Sequence, residues 1–449
     1  MVAIADQLSG IDREQIGRDA HGLITELYPI CRSITGDGVR ETLRRVSERI
    51  PVEVVEVPTG TPVLDWTVPR EWNIRDAYVA DASGRRIVDF RASNLHVLNY
   101  SVPVDRRMTL AELRPHLHTL PEQPDRIPYR TSYYNDAWGF CLQHERLAEL
   151  RDDEEYEVVI DSSLEPGHLS YGELVLPGSG AAEVLVSCHL CHPSLCNDNL
   201  SGIAVATLLA QALSAAPRRH TFRFVFVPGT IGSISWLAAN EDAVGRITSG
   251  LVLTGVGDPG SPTYKQSRRG NTAIDRAMAH VLATRRPEHT IVPFSPWGYD
   301  ERQYCSPGFD LPVGCLMRTP HGTYPEYHTS GDNPGFVTRD ALAETFELCL
   351  AAFDVLERDA TYRNLSPKGE PQLGRRGLYG ALGGSADKRS DELAMLWVLN
   401  QSDGEHTLLS IAERSGLPFA TVAKAAALLE DHGLLAPVEA AGEAVATRR

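Results

Sequence analysis

Two histidines and an aspartate bracketed by asparagines share one short stretch of the chain, residues 183–213, EVLVSCHLCHPSLCNDNLSGIAVATLLAQAL. Imidazole nitrogens and carboxylate oxygens are common zinc ligands, and catalytic sites keep one position open for water. His189 and Asp198 can supply two such ligands from a single loop. Spacing alone does not separate His189 from His192. His189 is favoured because it directly follows a strand-like run, and His192 suits a supporting role. Cys188, Cys191 and Cys196 offer a rival thiolate set, but no other cysteine pair stands nearby to complete a standard structural zinc spacing.

A second stretch, residues 294–336, FSPWGYDERQYCSPGFDLPVGCLMRTPHGTYPEYHTSGDNPGF, gathers Asp300, Glu301, His321, Glu326, His328 and Asp332 among glycines and prolines. Carboxylates and histidines in such loops are candidates for proton transfer and metal binding.

Particular elements must position these residues. Residues 184–187 are short and β-prone, whereas 201–213 repeat apolar residues at helical spacing, so the first loop joins a strand to a helix. Sites in open α/β sheets sit at such strand ends. Upstream, residues 13–50 read as two helices around a break at CRSITGDG. From about 61 to 138, Val, Ile, Tyr and Trp alternate with turn residues, which predicts several short strands. Trp66, Trp72, Tyr78, Tyr100, Tyr133, Tyr134 and Trp138 in this segment could serve packing or line a cleft. From Glu155, strand-like runs including YEVVIDSSL alternate with helices over some 200 residues, which predicts a largely parallel sheet. After a linker, three helices with a Ser-Gly-Leu-Pro turn have the layout of a winged helix-turn-helix.

The chain has 449 residues, 42% hydrophobic and 23% charged, enough for several domains around a sizeable core. Its net charge of -16 disfavours a nucleic-acid backbone as main partner. The expected third helix of the C-terminal module offers Lys424 as its only base, so DNA reading is disfavoured there too. Docking or dimerisation, and with it a homo-oligomer, suits that module better. With no leader-like start, no bilayer-length apolar run and no dense cysteine framework, the sequence predicts a cytoplasmic protein with reduced thiols and no membrane partner.

Several motifs together carry a resemblance. The order His189, then Asp198 with Leu200-Ser201-Gly202, then the distant PEYHTSGDN at 325–333, resembles the two-metal zinc aminopeptidases and their glutaminyl cyclase relatives. CRSITGDGVRETL, DWTVPREWNIRDAY, NLHVLNYS, SCHLCHPSLCNDNLSG, GTIGSI and YDERQYCSPGFDLPVG are similar to a bacterial aminopeptidase-like family. That resemblance implies an α/β fold, with a mostly parallel sheet and helices on both faces, an inserted mostly β domain and a C-terminal winged helix-turn-helix. The implied bounds are 1–60 with 139–365 for the core, 61–138 for the insertion, 366–388 for a linker and 389–449 for the winged module. By position, His189 corresponds to the first metal histidine, Asp198 to the bridging carboxylate and His328 to the last histidine ligand.

The chain also departs from that pattern. Two-metal peptidases carry adjacent glutamates, a general base and a ligand, where this chain has Gly229 and Thr230; the nearer family retains the first. Cys191 stands where the two-metal enzymes place an orienting aspartate. Without the second glutamate, one Zn2+ ion is expected rather than two. Without the first, Asp300, Glu301 or Glu326 must replace the base, or the reaction is altered or lost; a residue substituted deliberately to trap substrate would look the same. The leading expectation is a mononuclear zinc-dependent hydrolase of a small amide or peptide-like metabolite. The alternative is a catalytically silent protein that binds metal and metabolite and docks a partner through its winged helix. A metabolite-sensing transcription regulator is a third reading.

Overall fold

Short runs of Val, Leu, Ile and Phe form an eight-stranded sheet, ordered Glu53–Pro58, His168–Leu176, Thr221–Val227, Glu183–His189, Ile247–Leu253, Val313–Met317, Thr263–Lys265 and Thr290–Val292. This computed structural model describes residues 4–378 and 388–438. The expected linker and winged module therefore lie partly outside the described residues, at 379–387 and 439–449. The four middle strands are parallel, and antiparallel pairings add His168–Leu176 on one side and Thr263–Lys265 on the other. Parallel neighbours need long crossovers. The helices Ser201–Ser214 and Ile231–Ala239 lie in the connections on either side of Thr221–Val227. The expected α/β class and mostly parallel sheet are thus present.

Every residue of Glu183–His189 is buried, as suits an apolar strand with a parallel neighbour on each side. Its one carboxylate, Glu183, lies 2.8 Å from Arg223 and 2.7 Å from Arg246, so the charge is paired. Ser201–Ser214 is built of small and aliphatic residues and is buried over most of its surface. Gly202 permits its close approach, because a β-carbon there would lie 2.5 Å from the Leu253 carbonyl oxygen.

The two expected N-terminal helices are Arg13–Leu27 and Asp37–Ser47. Asp12 caps the first by accepting the Gln15 N–H at 3.0 Å. Between them lies the buried Arg32, whose guanidinium donates to the carbonyls of Leu27 at 2.7 Å and His192 at 3.2 Å. This entry segment thereby holds the backbone of the histidine loop.

An antiparallel four-stranded sheet follows the order Arg86–Asp89, Glu71–Ala80, Glu155–Glu165, Val104–Thr109. Val79, Val88, Val158 and Ile160 belong to its core. The run YEVVIDSSL, expected in the strand–helix alternation, is paired here instead. Alternating hydrophobicity identifies a strand but not its partner. Trp72 is buried and donates to the Ser101 carbonyl at 2.9 Å, and Trp138 stacks on His116, so these two aromatics serve packing.

The chain divides into two compact units, one holding residues up to Asp275 with Glu288–Glu347, the other Arg276–Pro287 with the chain from Leu348 onwards. In the second, Lys388–Gln401, Leu408–Ser415 and Phe419–Asp431 form three helices, with a sheet ordered Asp403–Thr407, Thr361–Asn364, Leu435–Pro437. Thr407 caps the middle helix and Gly416, at φ 69°, ends it in the left-handed conformation. This is the expected winged helix-turn-helix. Among the described residues, no helix is long and apolar enough to cross a membrane.

Candidate metal centre

His189 closes the central strand Glu183–His189, and its Nε2 lies 2.8 Å from Oδ1 of Asp198. From the far end of the chain, His328 places Nε2 3.0 Å from the other oxygen, Oδ2. His192 approaches the same oxygen at 4.0 Å. The structure therefore brings His189, Asp198 and His328 together and adds His192 beside them. Ligand atoms of His189, His192 and Asp198 lie within 4.8 Å of one another. His192 and His328 hold left-handed backbone conformations, φ 82° and 54°. Strain of this kind gathers at functional sites.

The asparagines explain how an aspartate can be fixed here. Asn197 accepts the N–H groups of Gly257 at 2.8 Å and Asp258 at 3.1 Å. Asn199 accepts those of Gly202 and Gly255 and donates to the Leu253 carbonyl at 2.9 Å. Both clamp the loop to the chain at and beyond the end of the neighbouring strand Ile247–Leu253. Asp332 completes the cradle by accepting the backbone N–H groups of Cys196 at 3.1 Å, Asn197 at 2.6 Å and Asp198 at 3.0 Å.

Asp198, His189 and His192 are buried. Burial alone would raise the Asp198 pKa, but the three imidazoles overcome it and hold this carboxyl well below its usual range. Burial pushes His189 down and His192 down to about 3, so both rings stay neutral with lone pairs to offer. A charged carboxylate facing neutral imidazoles in a dry setting is a donor set that fits a divalent cation. The rival thiolate site is disfavoured, because burial pushes Cys191 up to about 12 and raises Cys188 and Cys196 as well. Among the described residues, the candidate ligand cluster contains no cysteine.

The three carboxylates expected to replace the missing base are engaged elsewhere. Asp300 is fully buried, accepts the Ser233 hydroxyl at 2.8 Å and is pushed up to about 7 by burial. Glu301 pairs with Lys265 at 2.7 Å, and Glu326 with Arg126 at 2.9 Å. None of them lines the cavity of about 610 Å³ beside the histidines, whose wall includes Tyr129, Arg130, Tyr133, His192, Gly229, Tyr299, Tyr327 and His328.

Tyr299, which sequence reading passed over, holds the space beside residue 229. Its ring stacks on His189 at 3.7 Å between centroids, and its hydroxyl lies 3.3 Å from His192 ring nitrogens. Burial raises the phenol well above its ordinary pKa, so it is a neutral donor. The signal available was its place beside Asp300 in a candidate loop, opposite a glycine where a side chain was expected. Tyr129 packs against both His192 and His328, and Tyr133 meets Tyr129 through hydroxyls 2.9 Å apart.

Comparison with known proteins agrees with this architecture. A profile of the family described as "Domain of unknown function (DUF4910)" matches residues 21–359, and one described as "winged helix-turn-helix" matches residues 360–437. A Clostridium acetobutylicum protein, named for polysaccharide biosynthesis with an aminopeptidase-like domain, is 51% identical over 412 residues, 92% of this chain and 94% of that protein. A crystal structure described as a peptidase from the same organism superposes with a TM-score of 0.91 at 49% identity, covering 95% of this chain and 98% of that one. BSAP, a zinc aminopeptidase from Bacillus subtilis, superposes with a TM-score of 0.54 at 12% identity, covering 75% of this chain and 94% of its own, a likeness of fold. An aminopeptidase-like core continued by a winged helix-turn-helix places this chain in the DUF4910 domain family.

Proposed function

We propose that the protein is a mononuclear zinc-dependent hydrolase of aminopeptidase ancestry, acting on a small amide or peptide-like metabolite. The observation that carries this reading is the convergence of His189 and His328 on the two oxygens of one buried, ionised Asp198. These three residues would hold the ion, His328 being preferred to His192 because it contacts Asp198 directly. When bound, zinc supplies Lewis-acid chemistry, polarising a carbonyl and lowering the pKa of water to about 7. Thr230 in place of a ligand carboxylate favours one ion over two.

The chain's own residues set the rest. His192 lines the cavity with a neutral ring whose free nitrogen can accept a proton. Tyr299 can donate its hydroxyl proton in a hydrogen bond to a substrate oxygen. The name of the Clostridium relative, polysaccharide biosynthesis, suggests amide-bearing saccharides among the substrates to assay. Metal analysis of protein purified without added zinc tests the reading. A stoichiometric divalent metal, lost in His328→Ala, supports it; no metal and unchanged stability of that variant remove it.

A second reading is a catalytically silent protein that binds metal and metabolite and docks a partner through its winged helix. The neutral Tyr299 phenol beside Gly229 favours it. Robust turnover of any amide in a substrate panel by the unaltered chain would exclude it.

A further inference from the structure

We propose that the cavity beside the histidine cluster selects a ligand bearing a small oxyanion, a carboxylate or phosphate, and rejects one bearing a free ammonium group. The inference rests on the metal-site reading above and names the substrate class for it.

An ammonium group leaving water needs a carboxylate or several acceptors in the wall that receives it. Among the described residues, no Asp or Glu lines this cavity. Asp198 is wholly buried and surrounded by three imidazoles, Glu301 is paired with Lys265, and Glu326 with Arg126. Asp300 is buried away from the cavity, with one oxygen accepting the Ser233 hydroxyl. A positive ligand would therefore meet phenol and imidazole rings, with no carboxylate at the wall among the described residues.

Among the described residues the wall contains one Asp, Glu, Lys or Arg side chain, that of the exposed Arg130. Among the described residues it forms no ion pair, whereas Arg126, four positions earlier, is spent on Glu326. The same wall carries the hydroxyl groups of Thr131, Tyr327 and Tyr299, which can donate to an anion, whereas that of Thr329 is given to the Glu326 carbonyl at 2.9 Å. A divalent cation held by the single negative charge of Asp198 would leave a further positive charge on the same wall. The cavity is thus a local positive site in a chain of net charge -16, and such a site concentrates anions. A guanidinium is suited to a planar or tetrahedral oxyanion through paired N–H donors. A plain solvated surface cation is the competing account of Arg130, and it predicts no ligand dependence.

The test is calorimetric titration of the full chain, after zinc uptake has been measured separately. The probes are N-acetyl-leucine, which carries a carboxylate and no amine; N-acetyl-leucinamide, which is neutral; leucinamide, which carries an ammonium; and glucose 1-phosphate. At least one anionic probe is expected to bind more tightly than N-acetyl-leucinamide, with leucinamide weakest. The better anion identifies carboxylate or phosphate as the natural group. Arg130→Gln is expected to weaken that anion about ten- to a hundred-fold with zinc uptake intact. Arg130→Lys should recover part of the loss. Leucinamide binding as tightly as the anions, no anion binding at all, or an anion preference unchanged in Arg130→Gln would each overturn the proposal. Failure of the metal reading would appear instead as absent zinc uptake, and the comparison of Arg130→Gln with the unaltered chain still decides the anion question.

Discussion

A β-carbon built on Gly229 would lie 2.5 Å from Cε1 of Tyr299 and 3.1 Å from Cβ of His189. The tyrosine ring occupies the ground over which any side chain at position 229 must pass. A carboxylate side chain at position 229 therefore needs this ring to move. Gly229→Glu is expected to destabilise the protein by about 1–3 kcal/mol through overpacking and to leave amide hydrolysis unimproved. The double variant Gly229→Glu with Tyr299→Ala has room for the carboxylate, and its turnover should rise by about 10²- to 10⁴-fold over the single variant. Melting temperatures and initial rates on one amide substrate compare the two.

Asp332 touches no ligand nitrogen, yet its removal should cost metal. Three backbone N–H groups of the Cys196–Asp198 segment end on its carboxylate. Asp332→Ala leaves the Asn197 and Asp198 N–H groups without this acceptor, at about 1–3 kcal/mol for each buried group, whereas Cys196 keeps the Asp332 backbone carbonyl at 3.2 Å. Denaturant unfolding is expected to register a loss of at least about 2 kcal/mol, and zinc titration a weakened site. Zinc affinity equal to that of the unaltered chain would refute the cradle.

The buried Asp300 sets a pH dependence whose sign follows from its raised pKa. The folded protein keeps the proton up to about 7, whereas the unfolded chain releases it near 4. This group's contribution is therefore most favourable below about pH 4, declines as pH rises from 4 to 7, and is unfavourable and constant above. Asp300→Asn should stabilise the protein at pH 8 and have little effect at pH 4, as read by urea unfolding at both values. The same variant should keep whatever activity the chain has, since Asp300 does not line the cavity.

The winged module gives a prediction about nucleic acid. Its third helix, Phe419–Asp431, carries Lys424 alone, and that ammonium lies 3.3 Å from Asp391. Mobility-shift assays at low salt are expected to give no retarded duplex. A retarded band that fades with added salt would show phosphate contact and contradict the docking role.

Much of this was legible in the chain, and for identifiable reasons. His189 and Asp198 stand at a strand-to-helix junction that hydrophobic periodicity marks, and the PEYHTSGDN motif carried His328 to them across 130 residues through resemblance. What stayed hidden depends on which surfaces meet. Glu155–Glu165 looked like one more strand of the large sheet, because nothing in a single strand encodes its neighbour. Asp300, Glu301 and Glu326 looked available because their partners Ser233, Lys265 and Arg126 come from other segments. Tyr299 and Arg130 escaped notice because a tyrosine and an arginine acquire meaning only when a cavity forms around them.

The hydrogen bonds of Asp332 also have a mechanical meaning. One carboxylate, four residues beyond His328, grips the very segment that carries Asp198. Ligands far apart along the chain are thereby tied into a single rigid body. The donor atoms keep their spacing through protein contacts, and an arriving cation needs to displace little more than water and the His–Asp hydrogen bonds. Uptake and release should thus proceed without any wider rearrangement of the cleft, leaving the same tyrosine-lined wall to face a ligand in either state.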